Sequence, residues 1–177
     1  PYTRGHSERV AYFAEQIART MRLPKKMVAD IQVAALIHDI GKIGIEDSIL
    51  NKPDRLTGDE FEQIKKHPVI GSQIIEEVQF SQIIVDAVLY HHCHYDGSGY
   101  PCGKNVPMPQ PLAAAILAIA DAYDAMTSDR PYRKRLSHEK ALGILYENSG
   151  TQFDPNVVDA FSKVLDKVNA TLNPVMS

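Results

Sequence analysis

Apolar residues recur every three to four positions along most of the chain, and no stretch alternates convincingly with a period of two. That pattern predicts helices joined by loops. In the first segment His6, Val10, Phe13, Ile17 and Met21 share one helical face, and Pro24 is expected to end the helix. Val28, Ile31, Ala35 and His38 form a second stripe, after which Gly41 and Gly44 mark a loop. Thr57-Gly58-Asp59-Glu60 has capping-box spacing and starts a short helix through Phe61 and Ile64. His67-Pro68 is expected to close that helix, because the residue before a proline disfavours the α region. Ile70, Ile74 and Val78 predict the inward stripe of the next helix, and Ile84, Val88 and His91 that of the one after. Residues 93–111 hold three glycines and four prolines, a long irregular loop of the kind that carries function. An Ala-rich helix runs from Leu112 to about Met126. Ser137 can cap a helix through Ala141, Leu142 and Leu145, and Asp154-Pro155 opens a last one through Val158, Phe161 and Leu165. There is no internal repeat, and the fold class is all-α, a single-domain helical bundle.

Composition narrows the picture. A chain of 177 residues with 44% apolar content suits one globular domain with a real core. A net charge of −3 argues against a surface that coats nucleic acid, so no nucleic-acid polymer is expected as a partner. The longest apolar run, Leu112 to Ala120, stops at Asp121, well short of the roughly 20 residues a membrane span needs. The abrupt start at Pro1-Tyr2 reads as part of a longer regulatory protein. Cys93 and Cys102 are not spaced as a C-x-x-C pair and fit free thiols in a reducing cytoplasm.

The chemistry lies in histidines and aspartates near helix ends. His38-Asp39 is followed at once by Ile40-Gly41-Lys42, and His91-His92 runs towards Asp96-Gly97-Ser98-Gly99-Tyr100-Pro101. His6, His67 and Asp121 stand around them. Five imidazoles and two carboxylates are the ligand inventory of a site with more than one metal ion, and such sites hydrolyse phosphate esters. Imidazole with carboxylate suits iron, manganese, zinc or nickel. Adjacent residues on a helix project about 100° apart, so His38 and Asp39 can serve neighbouring ions, and the two oxygens of Asp39 can bridge them. Asp121 interrupts an almost wholly apolar helix. An unpaired buried carboxylate is costly, so it must meet a metal, an arginine or water. Asp124 shares much of its face and can orient a ligand. His94 is expected to point elsewhere. Lys42 can meet a phosphate from its glycine-flanked position. Arg130 and Arg133 lie close behind the Asp121 helix, where guanidinium suits bidentate phosphate contact, whereas Lys134 and Arg135 read as a solvated face.

These residues resemble the HD-GYP family, a branch of the HD phosphohydrolases. The resemblance rests on His38-Asp39-Ile40-Gly41-Lys42, His67-Pro68, His91-His92, Asp96 through Pro101, Ala120 through Arg133, and Gly150-Thr151-Gln152-Phe153-Asp154-Pro155, in that order across the whole chain. It implies a bacterial phosphodiesterase that opens cyclic di-GMP to linear pGpG and in some members continues to GMP. By position it implies His6, His38, Asp39, His67, His91, His92 and Asp121 as metal ligands, with Asp39 bridging. It implies Asp39 and Lys42 as the catalytic residues. Lys42, Arg130 and Arg133 would contact substrate phosphates, and Asp96, Gly99, Tyr100 and Pro101 would border the substrate. The Gly99-Tyr100-Pro101 loop is associated with docking of a partner such as a diguanylate cyclase or an adaptor, and a homodimer is compatible with the sequence.

The chain departs from the family in two places. Members with a third metal carry a glutamate four residues before the first histidine, where Tyr2 stands here, which implies two divalent ions per chain, iron or manganese before zinc or nickel. Typical members also carry a glutamate after the double histidine, where Cys93 stands. Two alternatives remain open: hydrolysis of cyclic GMP-AMP, and a catalytically degenerate module that binds a cyclic dinucleotide or docks a partner without cleaving.

Overall fold

Helices realise the apolar spacing throughout the computed structural model, which describes residues 2–101, 110–129 and 134–172, with side chains described for 5–101, 110–129 and 134–168. In chain order these are α1 (Tyr2–Thr20), α2 (Lys25–Ile37), a 3₁₀ helix (Ile40–Gly44), α3 (Asp47–Leu50), α4 (Gly58–Ile64), α5 (His67–Glu77), α6 (Gln82–Tyr90), α7 (Leu112–Thr127), α8 (His138–Glu147) and α9 (Pro155–Leu172). Among the described residues there are no strands, only two isolated bridges, Cys93 with Gly99 and Ser149 with Phe153. No helix among them is long and apolar enough to cross a membrane.

The Ala-rich α7 is the axis of this all-α bundle. Small side chains at Ala113, Ala114, Ala115 and Ala120 let neighbours approach closely, and Ile116, Leu117, Ile119 and Tyr123 fill the remaining space, all buried. Helices α1, α6, α8 and α9 pack around it, and α2 lies between α1 and α6. The phenyl groups of Phe13, Tyr123 and Phe161 meet edge to face, joining α1, α7 and α9. The candidate ligands sit where α1, α2, α5, α6 and α7 come together.

Several boundaries follow the sequence closely. Thr57 and Glu60 form the reciprocal capping box, the Ser137 hydroxyl accepts from the Lys140 N–H, and α9 begins at Pro155. Others differ. Pro24 does not end α1. That helix stops at Thr20, Arg22 turns the chain with φ 58°, and the Leu23 N–H returns to the Ala18 carbonyl at 3.0 Å, a C-terminal motif that needs no proline. Pro24 instead precedes the first residue of α2.

His67-Pro68 opens α5 rather than closing α4. A proline is tolerated in a first helical turn, where its missing N–H would have no partner. The expected stripe of Ile70, Ile74 and Val78 is also displaced: Ile74 and Val78 are exposed, and α5 buries Pro68, Gly71, Ser72 and Ile75. Gly71 takes that position because the 3₁₀ helix crosses there. A Cβ on Gly41 would stand 1.9 Å from the His67 carbonyl oxygen and 2.5 Å from the Gly71 nitrogen. The segment 40–44 is therefore a tight helical turn pressed against α5, not an open loop.

Candidate metal centre

Three histidines follow one local rule. The Nδ1 of His38 donates to the Ala35 carbonyl at 2.8 Å, that of His67 to Ile64 at 2.8 Å, and that of His91 to Val88 at 2.7 Å. Each thus sits just past the end of a helix, α2, α4 or α6, and binds the carbonyl three residues back. A carbonyl only accepts, so the proton is on Nδ1 and the Nε2 lone pair is turned away from the helix. The three C-terminal ends also bring partial negative charge, which favours a cation.

The lone pairs converge. The Nε2 atoms of His67 and His91 are 3.4 Å apart. Burial holds both imidazoles below their ordinary pKa, with the surrounding histidines adding to the effect at His91, so neither readily supplies a proton to relieve the contact. A cation between them would. Two nitrogens about 2.1 Å from one ion and this far apart subtend roughly the tetrahedral angle. His92 joins these two, and its pKa is pushed down to about 3, first by burial and then by His67. The donor atoms of His67, His91 and His92 all lie within 4.8 Å of one another, as do those of His6, His38 and Asp39.

Asp39, a member of the second group, also reaches towards the first. Its Oδ1 is 3.5 Å from the His67 Nε2, and its Oδ2 is 3.6 Å from the His38 Nε2 and 2.6 Å from the Lys42 ammonium. Burial opposes ionisation, but the neighbouring His38 and Lys42 hold the carboxyl well below the usual range. Because α2 ends at Ile37, His38 and Asp39 lie beyond it, and the helical offset of about 100° does not set their directions.

On the other side His6 lies between two carboxylates. Its Nδ1 donates to Asp124 at 2.7 Å, and its Nε2 is 3.2 Å from Asp121. The Asp121 hydrogen bond, then that of Asp124, raises its pKa to about 9 against the opposing effect of burial. Asp124 is itself held by Arg9, whose Nε lies 2.5 Å from Oδ1 and whose Nη2 lies 3.1 Å from Oδ2. An arginine does approach the α7 carboxylates, but it pairs with Asp124, which leaves Asp121 facing His6. Arg9 carries no motif that would have singled it out. It is found only through the packing of α1 on α7.

The loop after α6 covers the site. Gly99 has φ +88°, and a Cβ there would stand 2.3 Å from the His92 carbonyl oxygen, so only glycine fits. The next residue, Tyr100, stacks on His92 with ring centroids 4.6 Å apart. Burial, then Asp121 and Asp39, pushes its phenol up to about 12. Pro101 accepts a hydrogen bond from the Cys93 thiol at 3.3 Å. Asp96 is exposed and turns back on its own loop, accepting from the N–H and hydroxyl of Ser98. The Ser98 hydroxyl also lies 2.8 Å from the His94 Nδ1. His94 belongs to neither donor group, although with His91, His92, Tyr100, Asp121 and Gln152 it lines a cavity of about 290 Å³. Cys93 is in neither donor group. Arg130, Arg133 and Cys102 lie outside the described residues. One further residue had no sequence signal: Gln110, whose buried carboxamide binds the backbone on both sides of His91-His92.

Residues 1–157 match the HD domain family. The chain belongs to that family. The HD-GYP resemblance of its motifs is borne out by its relatives. The cyclic di-GMP phosphodiesterase response regulator RpfG of Xanthomonas campestris is 43% identical over 89% of this chain and 42% of its own length. The 3'3'-cGAMP-specific phosphodiesterase 3 of Vibrio cholerae is 37% identical over 94% of this chain and 36% of its own. Among solved structures, Bd1817, an HDG"Y"P protein from Bdellovibrio bacteriovorus, superposes on 93% of this HD domain and 52% of that chain with a TM-score of 0.73 at 18% identity, which is a likeness of fold. The chain spans less than half the length of the curated relatives it matches first.

Proposed function

We propose that this HD domain is a metal-dependent phosphodiesterase that opens cyclic di-GMP to linear pGpG, with GMP as a further product. The observation that carries the reading is the carboxylate of Asp39, with one oxygen towards His67 and the other towards His38. The donor set fits two divalent ions, iron or manganese before zinc or nickel. One would be held by His67, His91 and His92, the other by His6, His38 and Asp121, with Asp39 shared. Bound there, such ions supply Lewis acidity towards phosphate oxygens and lower the pKa of water.

The chain's own residues do the rest. The helix-end carbonyls fix three imidazoles in the tautomer that presents Nε2. Asp124 and Arg9 hold His6. Lys42, part-exposed beside Asp39, is positioned to meet a non-bridging phosphate oxygen and stabilise charge that builds there. Arg130 and Arg133 are proposed to share that role. Tyr100 shields His92 and offers an aromatic surface beside the cavity, with Gly99 and Pro101 setting its place. Asp96 shapes the loop that carries it. The same loop is proposed as the docking site for a diguanylate cyclase or adaptor, with the protein acting in the cytoplasm.

A second substrate, cyclic GMP-AMP, is favoured by the similarity to a cGAMP-specific relative. The non-cleaving reading is not favoured, because Cys93 bonds to Pro101 and replaces no member of either donor group. Both readings are tested together. Metal-loaded protein is incubated separately with cyclic di-GMP and cyclic GMP-AMP, and products are separated by chromatography. Linear dinucleotide from cyclic di-GMP is expected. Absence of turnover of either substrate with iron, manganese, nickel and zinc in turn would contradict the enzyme reading.

A further inference from the structure

One buried carboxamide joins the segment just before α7 to the turn that follows α6. Gln110 lies just before α7, which carries Asp121, and is 6% exposed. Its Nε2 donates to the carbonyls of Tyr90 at 3.0 Å and Cys93 at 2.8 Å. These residues bracket His91-His92. Both partners only accept, so the amide nitrogen faces them and the orientation of the carboxamide is fixed.

The last carbonyls of a helix have no partner within it. At the end of α6, Val88 accepts from the His91 imidazole, and Tyr90 accepts from the Cys93 N–H and from Gln110. The groups that cap this helix are thus the ones that hold the double histidine. The Oε1 of Gln110 is buried and has no hydrogen-bond partner among the described residues. A buried oxygen without a partner is unfavourable, so the two N–H donors account for a glutamine at this position.

We propose that Gln110 is a positioning residue of the metal centre, tying the turn that carries His91 and His92 to the helix that carries Asp121, so that these ligands face one another before metal binds. This rests on the metal-centre reading given above. The requirement is for N–H donors at that reach. Methionine fills a similar volume without donors. Glutamate offers only acceptors when ionised. Lysine brings donors suited to carbonyls at a helix C-terminus.

The test uses the full chain with Gln110→Met, Gln110→Glu and Gln110→Lys. Manganese and zinc retention is titrated against a chelator, and thermal unfolding is followed without metal. Wild type and Gln110→Lys are expected to hold their ions alike. Gln110→Met and Gln110→Glu are expected to bind about 10–100-fold more weakly, the usual cost of losing a group that orients a ligand. Their kcat should fall while KM for cyclic di-GMP changes little. Equal retention by wild type and Gln110→Met overturns the proposal, as does a Gln110→Lys variant no better than Gln110→Met. Where Gln110→Met fails to fold, Gln110→Lys against Gln110→Glu decides, and equal affinity overturns it. Loss of metal by wild type itself overturns the metal-centre reading, and that failure is visible in the wild-type arm alone.

Discussion

Lys42 holds its ammonium 2.6 Å from Oδ2 of Asp39, the oxygen that also faces the His38 Nε2. A cation already stands against the carboxylate proposed to lie between two ions. A bound ion competes for the same oxygen and would leave the ammonium to a phosphate. Lys42→Ala is therefore expected to lower kcat about 10²–10³-fold, the scale of losing one donor to a developing negative charge, with metal content unchanged. Kinetics and metal analysis on one preparation check both halves.

Asp124 reaches the site through His6. Replacing it with asparagine removes the charge that Arg9 and the imidazole share. Asp124→Asn is expected to weaken ion binding about 10–100-fold, and Arg9→Met to act in the same direction with smaller effect. Competition with a fluorescent chelator measures each. Unchanged affinity in Asp124→Asn would show that this carboxylate does not hold His6 for an ion.

Two glycines give opposite expectations. At Gly41 an added methyl meets backbone atoms of His67 and Gly71, which cannot rotate away. Gly41→Ala should cost about 1–3 kcal/mol, as overpacking does, and should weaken ion binding by moving Asp39. At Gly143 an added methyl meets nothing within 4 Å, and alanine is the better helix former inside α8. Gly143→Ala should gain up to about 1 kcal/mol. Urea unfolding of both variants tests the pair.

The metal-free protein should be most stable near pH 6.5. Burial lowers the pKa of His67, His91 and His92 from 6.5, the last to about 3. Below 6.5 the unfolded chain therefore binds more protons than the folded one, and stability falls as pH drops. His6 is raised from 6.5 to about 9, so its contribution is present below 6.5 and is lost as pH rises through about 9. Among these histidines three act on the acid side and one on the alkaline side, so between pH 4.5 and 10 the acid slope is the steeper. Chemical unfolding from pH 4.5 to 10 in chelator measures this. A steady rise in stability across that range would contradict it.

The helices were legible because an all-α chain writes its core at one period, and the histidine-aspartate pairs because few other chemistries need them. At Pro68 two rules conflict, since a proline restricts the residue before it yet sits easily in a first turn, and the structure follows the second. The α5 stripe is not legible in the sequence because Gly71 is buried for closeness to Gly41, not for hydrophobicity. Asp124 is legible as a residue that orients a ligand because it shares a helix face with Asp121, whereas Arg9 and Gln110 act across contacts distant in sequence, where neither motif nor periodicity reports them.

A pair of ions shared by Asp39 underlies the proposed hydrolysis, and counting them tests it most directly. Protein purified without chelator and with oxygen excluded is analysed for metal per chain, alongside Asp39→Ala and His6→Ala. About two ions are expected in wild type, following the two-metal arrangement of phosphoesterases. Asp39→Ala should lose both together, and His6→Ala should mainly weaken one. One ion or none in fully loaded wild type, or equal partial losses in both variants, would contradict it.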